Sequence, residues 1–311
     1  MCSVPAGDSI GISGHSSRGV PTRAPTGQGA RRRILIAFTT CLTLLWAPWE
    51  VWAQARSGPQ GEQPEGRTGA AEEAAARRDP ATARTRVDQR FKYRELGDDR
   101  YSAVATSRLD TTFPLPDGWL MALRFDMPLA LTDRSGPDNP DGDDVLGAGD
   151  FLSQFFLIAP SPGATRRFRL GAGAQFIWPT ASRDETGSGK YQVAPSAFGI
   201  YYTPGLGKGS FAGLILRDFV SYAGDEDRRD IHELSVQPAL NVNLPGGWYL
   251  SSFPDIRINW KDDAKVFVPL NLEVGKFVGR DVLTSVQVDV PVVNDYDLYE
   301  WQVELRVGFY F

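Results

Sequence analysis

Acid–base and nucleophilic chemistry near neutral pH usually turns on histidine, and the 311-residue chain has two, His15 and His232. His15 falls in an N-terminal leader. His232 is followed by Glu233 and stands two residues after Asp230, the setting of a base in a barrel hydrolase. In an extended segment, however, successive side chains point to opposite faces. His232 and Glu233 then part, and no serine is adjacent to either. No catalytic residue is expected.

Other motifs fail on spacing. GLGKGS at 205–210 lacks the spacing and the ending of a phosphate loop. DNPDGDD at 138–144 has a calcium-like composition, but Pro137 falls where the first EF-hand ligand belongs. Asp138, Asp141, Asp143 and Asp144 leave only a loose divalent site bridging lipopolysaccharide as an alternative. Cys2 and Cys41 both precede the expected cleavage point, so neither a disulfide framework nor a cysteine metal site is expected. The net charge of −5 lacks the basic footprint of a nucleic-acid binder. No metal, no cofactor and no nucleic acid enter the expectation.

The start of the chain has the pattern of an export signal. Arg31–Arg33 precede an apolar run from Ile34 to Trp49, and Val51-Trp52-Ala53 follows as a cleavage site. Residues 1–53 are expected to be leader and signal peptide, with a membrane anchor over 34–53 as the alternative. Residues 54–86 are polar and rich in Gly, Pro and Ala, the composition of a disordered periplasmic tether.

From residue 87 to 311 the dominant period is two. Tyr299, Trp301, Val303, Leu305, Val307, Phe309 and Phe311 share one face of the last segment, with Glu300, Gln302, Glu304, Arg306 and Gly308 on the other. Val286, Val288, Val290 and Val292 repeat the pattern, as do Leu234, Val236, Leu240, Val242 and Leu244. Such alternation marks strands with one apolar and one polar face. Several are longer than the usual globular strand of about 5–6 residues and match the roughly 9–11 needed to cross a bilayer.

Connections also alternate. Short turns at 116–118, 160–165, 204–209, 244–247 and 279–281 interleave with charged connections at 132–149, 180–189, 223–230, 261–265 and 294–297. This is the short-periplasmic, long-external rhythm of an outer-membrane barrel. Eleven strands follow from about residue 103. An even number requires a twelfth, and VDQRFKYREL at 87–96 supplies it by parity rather than by pattern. The expectation is an all-β antiparallel transmembrane barrel of about twelve strands over 87–311, with ten as the alternative count. Trp119, Trp178, Tyr201, Tyr202, Trp248, Trp260, Tyr299 and Trp301 fall near strand ends, where aromatic girdles form.

With the apolar face toward lipid, the polar face lines a lumen. From the first half come Arg108, Asp110, Arg124, Asp126, Gln154, Arg169 and Gln175. Glu233, Gln237, Asn241, Asp255, Arg257, Asn259, Asn271 and Glu273 follow. Gln287, Asp289, Glu300, Gln302, Glu304 and Arg306 complete the set. Of the neighbours Arg217 and Asp218, only one can point inward. Mixed signs at similar depths predict ion-pair networks rather than single-charge selectivity rings.

Four stretches, DFLSQFFLIAP, GAGAQFIWPTAS, GSGKYQVAPSAFG and SYAGDEDRRDIHELSVQPALNVNLPGGWYLSSFPDIRINW, resemble a bacterial outer-membrane transporter family linked to the meta-pathway of phenol degradation. The resemblance runs from about residue 101 to 311. It implies a barrel in the outer membrane, among lipid and lipopolysaccharide, that passes small solutes, aromatic or hydrophobic compounds among them. It carries no catalytic residue. Phe309 and Phe311 resemble the terminal aromatic signature read by the barrel assembly machinery. A structural, non-transporting barrel is the alternative, and a barrel hydrolase a more distant one.

Overall fold

The computed structural model describes residues 85–136, 139–161, 167–279, 281–296 and 298–311. The leader, both cysteines, Asp138 and nearly all of the expected tether lie outside the described residues.

Twelve antiparallel strands make up the described chain. They are β1 Arg86–Gly97, β2 Arg100–Pro114, β3 Leu120–Thr132, and β4 Val145–Ala148 continued by Phe151–Ile158. Then come β5 Phe168–Trp178, β6 Lys190–Tyr202, β7 Phe211–Gly224, and β8 His232–Asn243. The last four are β9 Trp248–Ser252 continued by Ile256–Asn259, β10 Lys265–Val278, β11 Val282–Asn294, and β12 Trp301–Tyr310. Each pairs with the next, and β12 returns to β1, from Arg86 opposite Tyr310 to Glu95 opposite Trp301. Closure leaves no strand edge unpaired. The strand placed by parity is the one that closes the ring.

Two strands are interrupted for identifiable reasons. In β4 the chain bulges at Gly149 and Asp150, and the Gly149 amide still bonds the Pro128 carbonyl at 2.9 Å. In β9 the gap spans Phe253–Asp255 around Pro254, which has no N–H for the ladder. The Asn271 side chain takes up the Phe253 amide there at 2.6 Å.

The two ends of the barrel differ. At the turn end, Leu115-Pro-Asp-Gly-Trp119 and Leu244-Pro-Gly-Gly-Trp248 make the same turn, each with a leucine amide bonded to the tryptophan carbonyl at 2.8 Å. Asp117 and Gly118, like Gly246 and Gly247, adopt positive φ to reverse the chain in so few residues. Both tryptophans face outward. The loop end carries the longer connections. The largest is shorter than the sequence suggests, because Val145–Ala148 extends β4 against Leu129–Thr132 and leaves 133–144 as the loop.

Outside, the alternation builds an apolar belt. Leu270, Leu272, Val286, Val288, Val290 and Val292 are exposed on adjoining strands β10 and β11, Leu270 at 65%. No helix of the described residues is long and apolar enough to cross a membrane. The strands supply the belt instead.

The inward face corrects one expectation. It is not uniformly polar: Phe156, Ile158, Phe198, Ile200, Phe211 and Phe219 also point in. Glycines make the room, since a Cβ on Gly171 would lie 2.3 Å from the Phe198 ring.

Candidate functional site

The barrel encloses a cavity of about 770 Å³. Its walls are unlike. From β1, Arg86, Arg90, Lys92 and Arg94 project inward on alternate positions, joined by Arg108 of β2, Arg124 of β3 and Arg306 of β12. Across the ring, β4, β6 and β7 contribute the aromatic wall.

Most cations on the basic side are paired. Asp126 receives Arg108 at two oxygens, 2.7 and 2.6 Å. Asp110 receives Arg124 at 2.7 Å and is bridged by Arg86. Glu304 takes Arg90 Nε at 2.6 Å and Lys92 at 3.1 Å. Arg257 of β9 spans Glu233 at 3.1 Å and Asp255 at 2.8 Å. Planar guanidinium forks suit such two-sided pairing.

Two carboxylates take their hydrogen bonds from neutral donors, and Glu273 also lies 3.9 Å from Arg306. Glu273 accepts from the Tyr249 hydroxyl at 2.7 Å and from Ser251 at 2.9 Å. Asp289 accepts from the amides of Asn271, Gln287 and Gln302 at 2.6, 2.8 and 2.9 Å. Gln154 and Gln175 sit opposite one another on β4 and β5 and line the cavity, as does Gln237 on β8. Asn241 is fully buried and bonds the Asn243 side chain at 3.1 Å. The expected ion-pair networks are present.

Besides Asn241, which does not line the cavity, three predicted residues stand away from it. Arg169 bonds the Ala159 carbonyl at the turn end, 3.3 Å away. Asn259 accepts the Lys261 amide in a loop-end turn at 3.0 Å. Glu300 is exposed and precedes β12, its own amide on the Glu95 carbonyl at 2.7 Å. Alternation was extended one pair too far at that end, because β12 begins at Trp301. Phe309 and Phe311 both face outward at the turn end.

Sequence reasoning missed the β1 cations. The strand shows little alternation because Gln89, on its outward face, is polar and is bonded to Ser107 at 3.0 Å. Even-numbered basic residues from Arg86 to Arg94 were the available signal. Arg217 is the inward member of its neighbouring pair. Asp218 shares the outward face with the exposed Leu214 and Leu216 and meets His232 at 3.4 Å. His232 also stands beside the Trp260 ring, centroids 6.4 Å apart, whereas Glu233 is inside with Arg257.

At the loop end, Arg228 reaches the carbonyls of Asp184 and Gly187 at 2.6 Å each. Lys190 bonds Asp230 at 3.2 Å and Lys261 approaches it at 3.5 Å. The Lys190 hydrogen bond, with the charges of both lysines, holds the Asp230 carboxyl below its usual range. Among the described residues no cluster of His, Cys, Asp and Glu is placed to hold a metal.

No family model matches the sequence, and a search of curated proteins finds no match. Among solved structures, an outer-membrane channel from Pseudomonas putida F1 superposes with a TM-score of 0.62 at 16% identity, over 74% of this chain and 96% of that one. The fold is that of an outer-membrane barrel. The NanC porin (TM-score 0.47, 10% identity, 72% of this chain and 98% of that one) is more distant. The outer-membrane phospholipase A of Escherichia coli is similarly distant (0.46, 11%, 76% and 97%). At that distance neither informs activity.

Proposed function

We propose that the chain is an outer-membrane channel for small solutes, aromatic or hydrophobic compounds among them. The observation that carries this reading is the lumen itself: a cavity of about 770 Å³ inside a closed barrel whose outside is apolar. A barrel that served only as a structural element could fill that space with side chains, as small barrels do. Here most of the inward arginines are paired along the wall, and a cavity remains between them. The resemblance to the meta-pathway family favours aromatic compounds as cargo.

Lipid and lipopolysaccharide are the surroundings this reading requires, and Phe309 and Phe311 are the side chains offered to the assembly machinery. We read the chain as a channel rather than an enzyme. The outward pair of His232 and Asp218 has the tryptophan of residue 260 as its neighbour, and no nucleophile is bonded to it among the described residues. Permeability of proteoliposomes to small solutes tests the proposal. Solute entry above that of protein-free vesicles is expected; equal entry for every solute would favour the structural alternative.

A further inference from the structure

Seven of the ten basic side chains that line the cavity have a carboxylate within ion-pair distance among the described residues; Arg94, Arg134 and Arg217 have none, and of these Arg217 is the one on the aromatic side. Arg217 projects from the middle of β7 into the cavity that Phe198, Phe219 and Phe253 also line. Its Nη1 donates to Gln237 at 3.2 Å. Its Nε is buried with no hydrogen-bond partner. Among the described residues no carboxylate reaches it within ion-pair distance. Asp255, which acts on it from farther away, is engaged by Arg257 at 2.8 Å and by the Ser235 hydroxyl.

Arg217 is half-buried, and a guanidinium with a buried, unbonded Nε and no counter-charge in reach is short of stabilisation. The surroundings sharpen this. Ten basic side chains line the cavity against five carboxylates, with Asp88, Asp126 and Glu233 paired to those cations from behind, which leaves a small basic excess, and Arg108, Arg124 and Arg257 act on Arg217 with like charge. The wall therefore lacks an anion where Arg217 sits. With Nη1 committed to Gln237 and Nε closed off from the lumen, Nη2 is the donor left for an anion in the cavity.

We propose that the lumen binds small organic anions with an aromatic body, and that Arg217 receives the anionic group. This rests on the channel reading and names its solute class. The ring would lie against Phe198, Phe219 and Phe253, where stacked or edge-on contact is favourable. The carboxylate would turn to Arg217, facing the basic side of the barrel. A neutral ring gains only the apolar contact, and a cationic one meets repulsion from both walls. The cavity volume lies within the range of small-molecule sites, about 300–1,000 Å³.

Calorimetric titration of the refolded chain in detergent micelles tests this with three probes of one shape: benzoate, benzyl alcohol and benzylamine. Benzoate is expected to bind at least about tenfold more tightly than either, the scale of one charge-assisted hydrogen-bonded contact. Arg217→Gln should remove that preference, and Arg217→Lys should keep part of it, with the heat-dependent gel shift reporting that each variant is folded. Benzoate binding no tighter than benzyl alcohol in the native chain overturns the proposal, and that comparison needs no variant. Undiminished benzoate preference in folded Arg217→Gln overturns the role of Arg217. Micellar binding does not require conduction, so the two readings fail separately. Conductance without benzoate preference sinks this inference alone, and benzoate binding without conductance sinks the channel alone.

Discussion

Arg306 in the last strand meets Asp88 in the first across the seam that closes the barrel, Nη2 to Oδ2 at 3.0 Å. Asp88 has no exposed surface and also holds Arg86 at 3.1 Å. Opposite Asp88 in the ladder stands Gly308, where a Cβ would lie 2.4 Å from the carboxylate. The glycine thus admits the group that ties both arginines to the seam.

Asp88→Asn should therefore weaken closure. Removing one member of a buried ion pair costs about 3 kcal/mol, here with two arginines left short of a counter-charge. The loss is expected as a lower temperature for disappearance of the compact form on gels. An unchanged transition would show that the seam does not depend on this pair.

Gly275 faces Tyr249 across the β9–β10 pair, and a Cβ there would lie 2.2 Å from the ring. Gly275→Ala must push the tyrosine from the cluster it forms with Phe277, Leu283 and Tyr310 and from its bond to Glu273. Overpacking of this kind costs about 1–3 kcal/mol. Urea titration of the refolded barrel in lipid should show the drop, and Tyr249→Phe should show a smaller one.

The apolar belt predicts an asymmetry between faces. Leu272 points outward and Asn271 inward on the same strand. Leu272→Arg is expected to cost about 2–4 kcal/mol in a bilayer, as charges near the midplane of a barrel do. The same variant in detergent should lose far less. Equal losses in both media would argue that β10 does not face hydrocarbon.

The loop end should respond to acid. Because the Asp230 carboxyl is held below its ordinary value in the fold, its contribution is complete above the usual carboxylate range and fades as pH falls through it. A spin label placed at Glu226, in the same loop, should gain mobility below about pH 4. Asp230→Asn should show that mobility already at neutral pH. A signal flat in pH would remove Asp230 as the tether.

Much of this architecture was legible in the chain. Val286 to Val292 and Trp301 to Phe309 announce their faces because every second residue is apolar, and lipid rewards that pattern. β1 hid itself, since Gln89 on the outside and long basic stems on the inside blur the contrast. The aromatic wall was hidden for another reason. Phe198 and Phe219 sit on polar-side positions of their strands, and only the space left by Gly171 shows that a ring belongs inside. The partners within the expected ion-pair networks were the third gap: alternation places Arg124 and Arg257 inside but does not say that Asp110, or Glu233 and Asp255, receive them. That one of Arg217 and Asp218 points inward is legible in the sequence; that Arg217 meets Gln237 and no carboxylate there is a property of the folded barrel.

Planar-bilayer recording of the refolded chain under a salt gradient tests the channel account most directly. The account predicts discrete, steady current steps with a reversal potential on the anion-preferring side, in line with the excess of basic over acidic side chains on the lumen wall. Repeated insertions with no steps would contradict it.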